Sequence, residues 1–211
     1  TFPEQMQAVA DAGHEIGGAL VADPRIKAVG FTGSRRGGIA LMRIAASRPE
    51  PIPVYAEMSS INPVVLMPHA LKARGAAMAP AFVQSLTMGA GQFCTNPGIT
   101  VVVDGPEADT FAGAAKEALS AIAPQTMLTD GMAEAYRSGA ARVEAGKGVR
   151  SLLTATCAAR NASPYLFEVA ADDWLENHEL AEEVFGPLGL IIRVRDSAQM
   201  EEVARSFVGQ L

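Results

Sequence analysis

"MGAGQFCTNPGITVVVDG" occupies Met88 to Gly105. Ile99 to Val103 reads as a buried strand: it is apolar, rich in β-branched residues, and bounded by turn formers. Directly before it, Cys94 sits among Gly, Asn and Pro. A cysteine that only fills space would be more at home inside the apolar run. Here the glycines allow another molecule to approach the backbone closely, and loop N–H groups are able to stabilise an oxyanion. A thiol attacks as its thiolate, so a nucleophilic Cys94 needs exposure and electropositive surroundings. The same residues also describe a small buried side chain without a partner.

Outward from this loop the chain alternates between the two hydrophobic periods. Apolar spacing predicts helices over Pro3 to Val21, with Met6, Val9, Ile16 and Leu20 among its apolar positions, and over Ser34 to Ser47. Further helices are expected over Ala70 to Met88, Glu107 to Ile122, Gly131 to Ala145 and Ala198 to Phe207. Strands are expected at Lys27 to Thr32, Ile52 to Met58, Val64 to Met67, Val149 to Leu153 and Tyr165 to Val169. The longest is Leu188 to Arg195. Strands alternating with helices imply an α/β fold, a sheet with helices on its faces. No internal repeat is visible.

Composition narrows the function classes. The 211 residues suffice for a sizeable core. The formal charge of −6 and the lack of a basic stripe argue against a nucleic-acid partner. No apolar run approaches a membrane span, and "TFPEQMQ" carries no signal-peptide pattern. With only Cys94 and Cys157, a disulfide framework is not indicated, which makes the cytoplasm the expected location. His14, His69 and His178 are widely separated, so no metal site is expected. Cys157, in "TATCAARNA", has no turn-rich surroundings and reads as structural.

Three other stretches carry candidate chemistry. In "AVGFTGSRRGG", Ala28 to Gly38, a strand runs into Gly33-Ser34 at a helix start. The N–H groups and dipole of such a terminus suit an anion such as phosphate. An ordinary strand–turn–helix with Ser34 as its cap has the same spacing, and no GxGxxG fingerprint is present. In "PVYAEMSSINPVV", Pro53 to Val65, Glu57 ends an apolar strand. Half-buried there, its carboxyl would be raised toward neutrality by desolvation and serve as a general base. A surface glutamate at a strand end is the alternative. In "ELAEEVFGPLGLIIRV", Glu179 to Val194, Glu182 and Glu183 precede a Gly-Pro turn. Carboxylates there accept ribose hydroxyls in one reading, with Phe185 packed on a flat ligand. In the other they are a solvated acidic helix end.

Taken in order, the four stretches resemble the aldehyde dehydrogenase superfamily. "FTGSRRGG" resembles that family's F-T-G-S-x-x-x-G turn, "AEMSSINPVV" its E-L-G-G-K-x-P segment, "GQFCTNPG" its G-Q-x-C motif and "EEVFGPL" its E-E-x-F-G-P motif. The order and approximate intervals also agree. Within the family, "FCTNPG" and "YAEMSSINPV" are most similar to the ketoglutarate semialdehyde and NADP-dependent fatty aldehyde branch. The resemblance implies a three-layer catalytic domain over residues 58–211, preceded over residues 1–57 by the last strands of a dinucleotide-binding domain.

It also implies roles. Cys94 would attack the aldehyde, and Glu57 would activate water to hydrolyse the resulting thioester. Gly33, Ser34, Glu183 and Phe185 would lie by the cofactor, NADP or NAD. A small-molecule aldehyde is the implied substrate, and the intact protein would be a homo-oligomer. Two departures stand out: Ser59-Ser60 where the family often has Gly-Gly, and Arg35-Arg36 in place of commoner Thr-Glu choices. The family's N-terminal half and C-terminal oligomerisation strands have no counterpart here. The chain is therefore expected to be a fragment that folds without turning over aldehyde. The alternative is a non-catalytic interaction or assembly module that reuses the fold.

Overall fold

The computed structural model describes residues 13–208. The chain divides into two compact units, with the boundary between Ser59 and Ser60. Met6 and Val9 of the first expected helix lie outside the described residues. The part of that helix that is described is α1, Gly13–Ala22.

In the first unit, β1 (Val29–Thr32) pairs in parallel with β2 (Val54–Glu57), bringing Thr32 opposite Glu57. The crossover between them is α2, Arg35–Ser47, as parallel pairing requires. Ser34 caps α2 by accepting from the Gly37 N–H at 3.2 Å. The glycines of "RRGG" serve close packing: a Cβ on Gly38 would stand 2.6 Å from Met58 Sδ. Both strands are shorter than the apolar runs that announce them, because the paired register extends only from Val29 opposite Val54 to Thr32 opposite Glu57.

The second unit is built on a five-stranded sheet in the order β3-β4-β9-β8-β6. These strands are β3 (Val64–Leu66), β4 (Ile99–Val103), β6 (Arg150–Leu153), β8 (Tyr165–Ala170) and β9 (Leu188–Val194). Neighbours are parallel except β6, which is antiparallel to β8. A separate antiparallel pair joins β5 (Gln125–Thr126) to β7 (Asn161–Ala162). The helices are α3 (Pro68–Thr87), α4 (Pro106–Ser120), α5 (Asp130–Glu144), α6 (Ala171–Glu176) and α7 (Ser197–Ser206).

Alternation along the strands sorts the core into two layers. Val101, Phe167, Leu190 and Ile192 face one cluster, which holds Tyr136 of α5, Trp174 of α6 and Val203 of α7. Val102, Leu166 and Ile191 face the other, with Leu86 of α3 and Phe111 of α4. Successive residues point to opposite faces, so a strand covered on both sides must be apolar at every position. "ITVVV" and "LGLIIRV" come close to that demand: the exceptions are Thr100, which is buried, and Arg193 near the end of β9, whose charge is paired with Glu168, Asp104 and Asp109. The three layers expected from the family resemblance are present: helices, sheet, helices.

The most deeply buried charged side chain and the largest buried hydroxyl of this unit are both paired, whereas Thr100 Oγ1 and Ser163 Oγ are buried without a hydrogen-bond partner. Glu168, only 5% exposed, meets Arg193 Nε at 2.9 Å and also pairs with Arg150. The Tyr136 hydroxyl is buried and donates to Ser163 O at 2.7 Å, with Pro187 O also in reach at 3.2 Å. Burial pushes its pKa far above that of an ordinary tyrosine. Tyr136→Phe strands a buried carbonyl and is expected to cost about 1–3 kcal/mol, read as a lower denaturant midpoint at unchanged slope.

The sequence pattern misses α6, β5 and β7. Six residues without a side-chain cap carry little helical signal, and two-residue strands carry none. The pattern also treats α3 as regular, whereas Arg74 departs from helical geometry (φ −151°, ψ 16°) and Pro80 lies within the helix.

Candidate active site

Cys94 is exposed, on the loop that joins α3 to β4. The chain leaves α3 through a tight turn, Met88–Gly91, in which Gly89, Ala90 and Gly91 all take positive φ (56°, 58° and 67°). Glycine reaches this region without strain. Ala90 is held there by its N–H, which donates to Gln125 Oε1 at 2.7 Å. Gly91 is pressed against the Gly186-Pro187 backbone: a Cβ would lie 2.3 Å from the carbonyl carbon of Gly186. The "GQFC" and "FGP" motifs thus meet backbone to backbone, and only a residue with no side chain fits between them.

The loop is buttressed on both sides of the cysteine. Gln92 accepts from the Leu128 N–H at 3.0 Å and donates to Gly89 O at 3.2 Å. Asn96 Nδ2 donates to Leu86 O at 2.8 Å, and the Gly98 N–H donates to Ile61 O at 3.2 Å. Asn62 Nδ2 donates to Cys94 O at 2.7 Å and to Asn96 O at 3.0 Å. Neither Asn62 nor Gln92 is among the site residues that the sequence suggests, although each carries a signal: Asn62 is a turn former in "SSINP", and Gln92 is the Gln of the G-Q-x-C motif.

Glu183 is half-buried, and its Oε1 accepts from the Ser60 N–H at 3.2 Å. With Phe185 and Ile61 it borders a cleft whose enclosed part is about 30 Å3. That is room for one water or one hydroxyl. Glu182 is exposed and faces Arg142, 3.4 Å away. No α-helix ends here; a short 3-10 turn, His178–Ala181, leads into the motif.

The other candidate residues lie together in the first unit. The Gly33 N–H donates to Glu57 O at 3.1 Å, and the Arg35 N–H donates to Ser59 Oγ at 3.2 Å. This corrects one expectation. The start of α2 does not present a full set of free N–H groups, because those of Gly33, Arg35 and Gly37 already donate within the protein. Glu57 corrects another. Its side chain is exposed rather than half-buried, since β2 has a single neighbour and the alternation turns this residue outward.

Cys157 is half-buried and its thiol donates to Asn161 O at 2.9 Å. Among the described residues no group of three or more His, Cys, Asp or Glu is arranged to hold a metal ion. Nor is any helix among them long and apolar enough to cross a membrane.

The fold and the loop around Cys94 define a class: an α/β chain with a cysteine displayed at the amino end of a central strand. Residues 2–206 match the aldehyde dehydrogenase family, and the chain belongs to it. It is 51% identical over 201 residues to alpha-ketoglutaric semialdehyde dehydrogenase 2 of Azospirillum brasilense. It is 40% identical over 202 residues to alpha-ketoglutaric semialdehyde dehydrogenase of Acinetobacter baylyi. Each alignment covers 94% of this chain and 38% of the relative, so the chain spans well under half the length of either.

Solved structures share the fold. One is a NAD-dependent benzaldehyde dehydrogenase from Corynebacterium glutamicum (TM-score 0.77, 23% identity, 93% of this chain, 43% of that one). Another is 1-pyrroline-5-carboxylate dehydrogenase from Thermus with bound NAD (TM-score 0.72, 21% identity, 91% and 39%).

Proposed function

We propose that the whole protein oxidises an aldehyde to a carboxylic acid with NAD or NADP, and that the aldehyde is ketoglutarate semialdehyde. The observation that carries this reading is the display of Cys94: exposed, on a loop buttressed at Gln92, Asn96 and Gly98. The two semialdehyde dehydrogenase relatives support the substrate. In the same reading residues 1–57 belong to the dinucleotide-binding domain and 58–211 to the catalytic domain.

The roles follow from ordinary carbonyl chemistry. Cys94 Sγ adds to the aldehyde carbon, giving a thiohemiacetal whose oxyanion is met by the Cys94 backbone N–H. Loss of a hydride from this carbon would leave a thioester, and NAD or NADP, when bound, would supply the hydride acceptor. Glu57 takes a proton from water, the water attacks the thioester carbon, the carbon–sulfur bond breaks, and the acid departs with the thiol restored.

Glu183, half-buried at this cleft, would accept ribose hydroxyls of the cofactor; Phe185 lies at the same cleft and would pack against the nicotinamide end. Gly33 and Ser34 would also lie by the cofactor. Ser34 is already the cap of α2, so its contribution is limited to what that cap leaves available.

Thiol labelling tests the nucleophile. Iodoacetamide is expected to modify Cys94 at least about tenfold faster than Cys157, whose thiol is half-buried and hydrogen-bonded. Equal, slow labelling of the two would overturn the assignment and favour a non-catalytic module.

A further inference from the structure

We infer that Asn62 is a positioning residue for Cys94, an inference that rests on the reading of Cys94 as the nucleophile. Asn62 sits outside the loop, five residues after Glu57, yet its amide nitrogen spans two carbonyls of that loop, Cys94 O at 2.7 Å and Asn96 O at 3.0 Å. The orientation of the amide follows from chemistry. Two carbonyl oxygens can only accept, so the nitrogen must face them. The other end agrees, because Asn62 Oδ1 accepts from Ser60 Oγ at 3.0 Å.

The backbone of Asn62 is also unusual. Its φ is 40°, in the left-handed region that Asn tolerates better than most residues. That conformation turns the side chain's anchor point toward the loop, and the hydrogen bonds at both ends of the amide hold it there. Ser60, which supports the far end, also donates its backbone N–H to Glu183 Oε1. One short turn, Ser60 to Asn62, therefore ties the cysteine loop to the "EEVFGP" segment by hydrogen bonds alone.

The consequence is specific. Pinning the Cys94 carbonyl fixes the peptide plane on the cysteine's own C-terminal side and limits how the thiol and the loop N–H groups move relative to each other. Alkylation needs only an accessible thiolate. Acylation also creates an oxyanion, which must meet N–H groups held in place. Loss of the clamp should therefore hurt acylation far more than alkylation.

Asn62→Gly and Asn62→Asp both keep a residue that tolerates positive φ, and both remove the two donated hydrogen bonds. In each variant the Asn96 and Gly98 amides are expected to exchange with solvent about tenfold or more faster, with the β4 and β9 amides unchanged. Acylation of Cys94 by p-nitrophenyl acetate is expected to fall about tenfold or more, while iodoacetamide labelling of the same thiol changes by less than about twofold. Unchanged loop exchange in both variants overturns the clamp. Equal loss of acylation and alkylation overturns the positioning role, leaving a structural one. Wild-type Cys94 that labels no faster than Cys157 overturns the nucleophile reading itself, and with it the catalytic purpose of the clamp.

Discussion

Replacing Gly91 by alanine is expected to destabilise the second unit by about 2–5 kcal/mol, enough to shift its melting temperature by several degrees. Two effects add at this position. A φ of 67° strains any side chain, and the new Cβ would stand 2.3 Å from Gly186 C and 2.4 Å from Pro187 N. The obstruction is backbone, so no rotamer change relieves it. Gly186 cannot retreat either, because a Cβ built on it would lie 2.2 Å from the ring of Tyr136, which is itself buried. Gly113→Ala provides the opposite sign. Gly113 is an exposed residue within α4 with open space around its would-be Cβ, so alanine there should stabilise by about 0.5–1 kcal/mol. Calorimetric melts of both variants decide the matter; a Gly91→Ala protein as stable as the parent would mean that this backbone contact does not form.

The second large effect is chemical. Under the proposed mechanism, Cys94→Ala in the whole protein is expected to lower aldehyde oxidation by about 10^4-fold or more, because the covalent route would disappear with the nucleophile. Stability should stay within about 0.5 kcal/mol, since the side chain is exposed and packs no core. That separation is the useful feature. Loss of activity together with loss of stability would point to a structural cysteine, and retained activity would remove Cys94 from the mechanism. Cys157→Ala is the companion variant, with activity expected to persist.

Much of the fold was legible because local physics wrote it twice. In "LGLIIRV" all positions but Arg193 are uncharged and buried, which suits a strand covered on both faces, and the helices on either side show the complementary 3.6-residue pattern. Where one signal was weak, structure departed from expectation. The six residues of α6 form a helix only because Ala171 and Trp174 have a core to enter. Arg74 interrupts α3 directly before Gly75, a weak helix former whose effect the apolar spacing does not record.

The candidate site was legible in a different way. Cys94, Glu57, Gly33, Ser34, Glu183 and Phe185 were found as motifs, and their order matched a family to which the chain belongs. What the motifs did not convey was their environment. Glu57 is exposed on a strand with one neighbour, and three N–H groups at the start of α2 are already engaged. Exposure and hydrogen-bond saturation depend on what lies across space, which a motif does not record.

By itself, then, the amino-acid order determined where the longer strands and helices lie, that the inner strands of the larger sheet are covered on both faces, and which cysteine stands in a turn-rich loop. These properties arise from residues within a few positions of one another, so they survive in the linear text. Only the tertiary structure decided that Gly91 must be glycine because Gly186 lies against it, and that Asn62 holds the carbonyl of Cys94. Those pairs are separated by dozens of residues and meet through sheet order and crossover connections, and close packing makes their demands absolute only once the chain has folded.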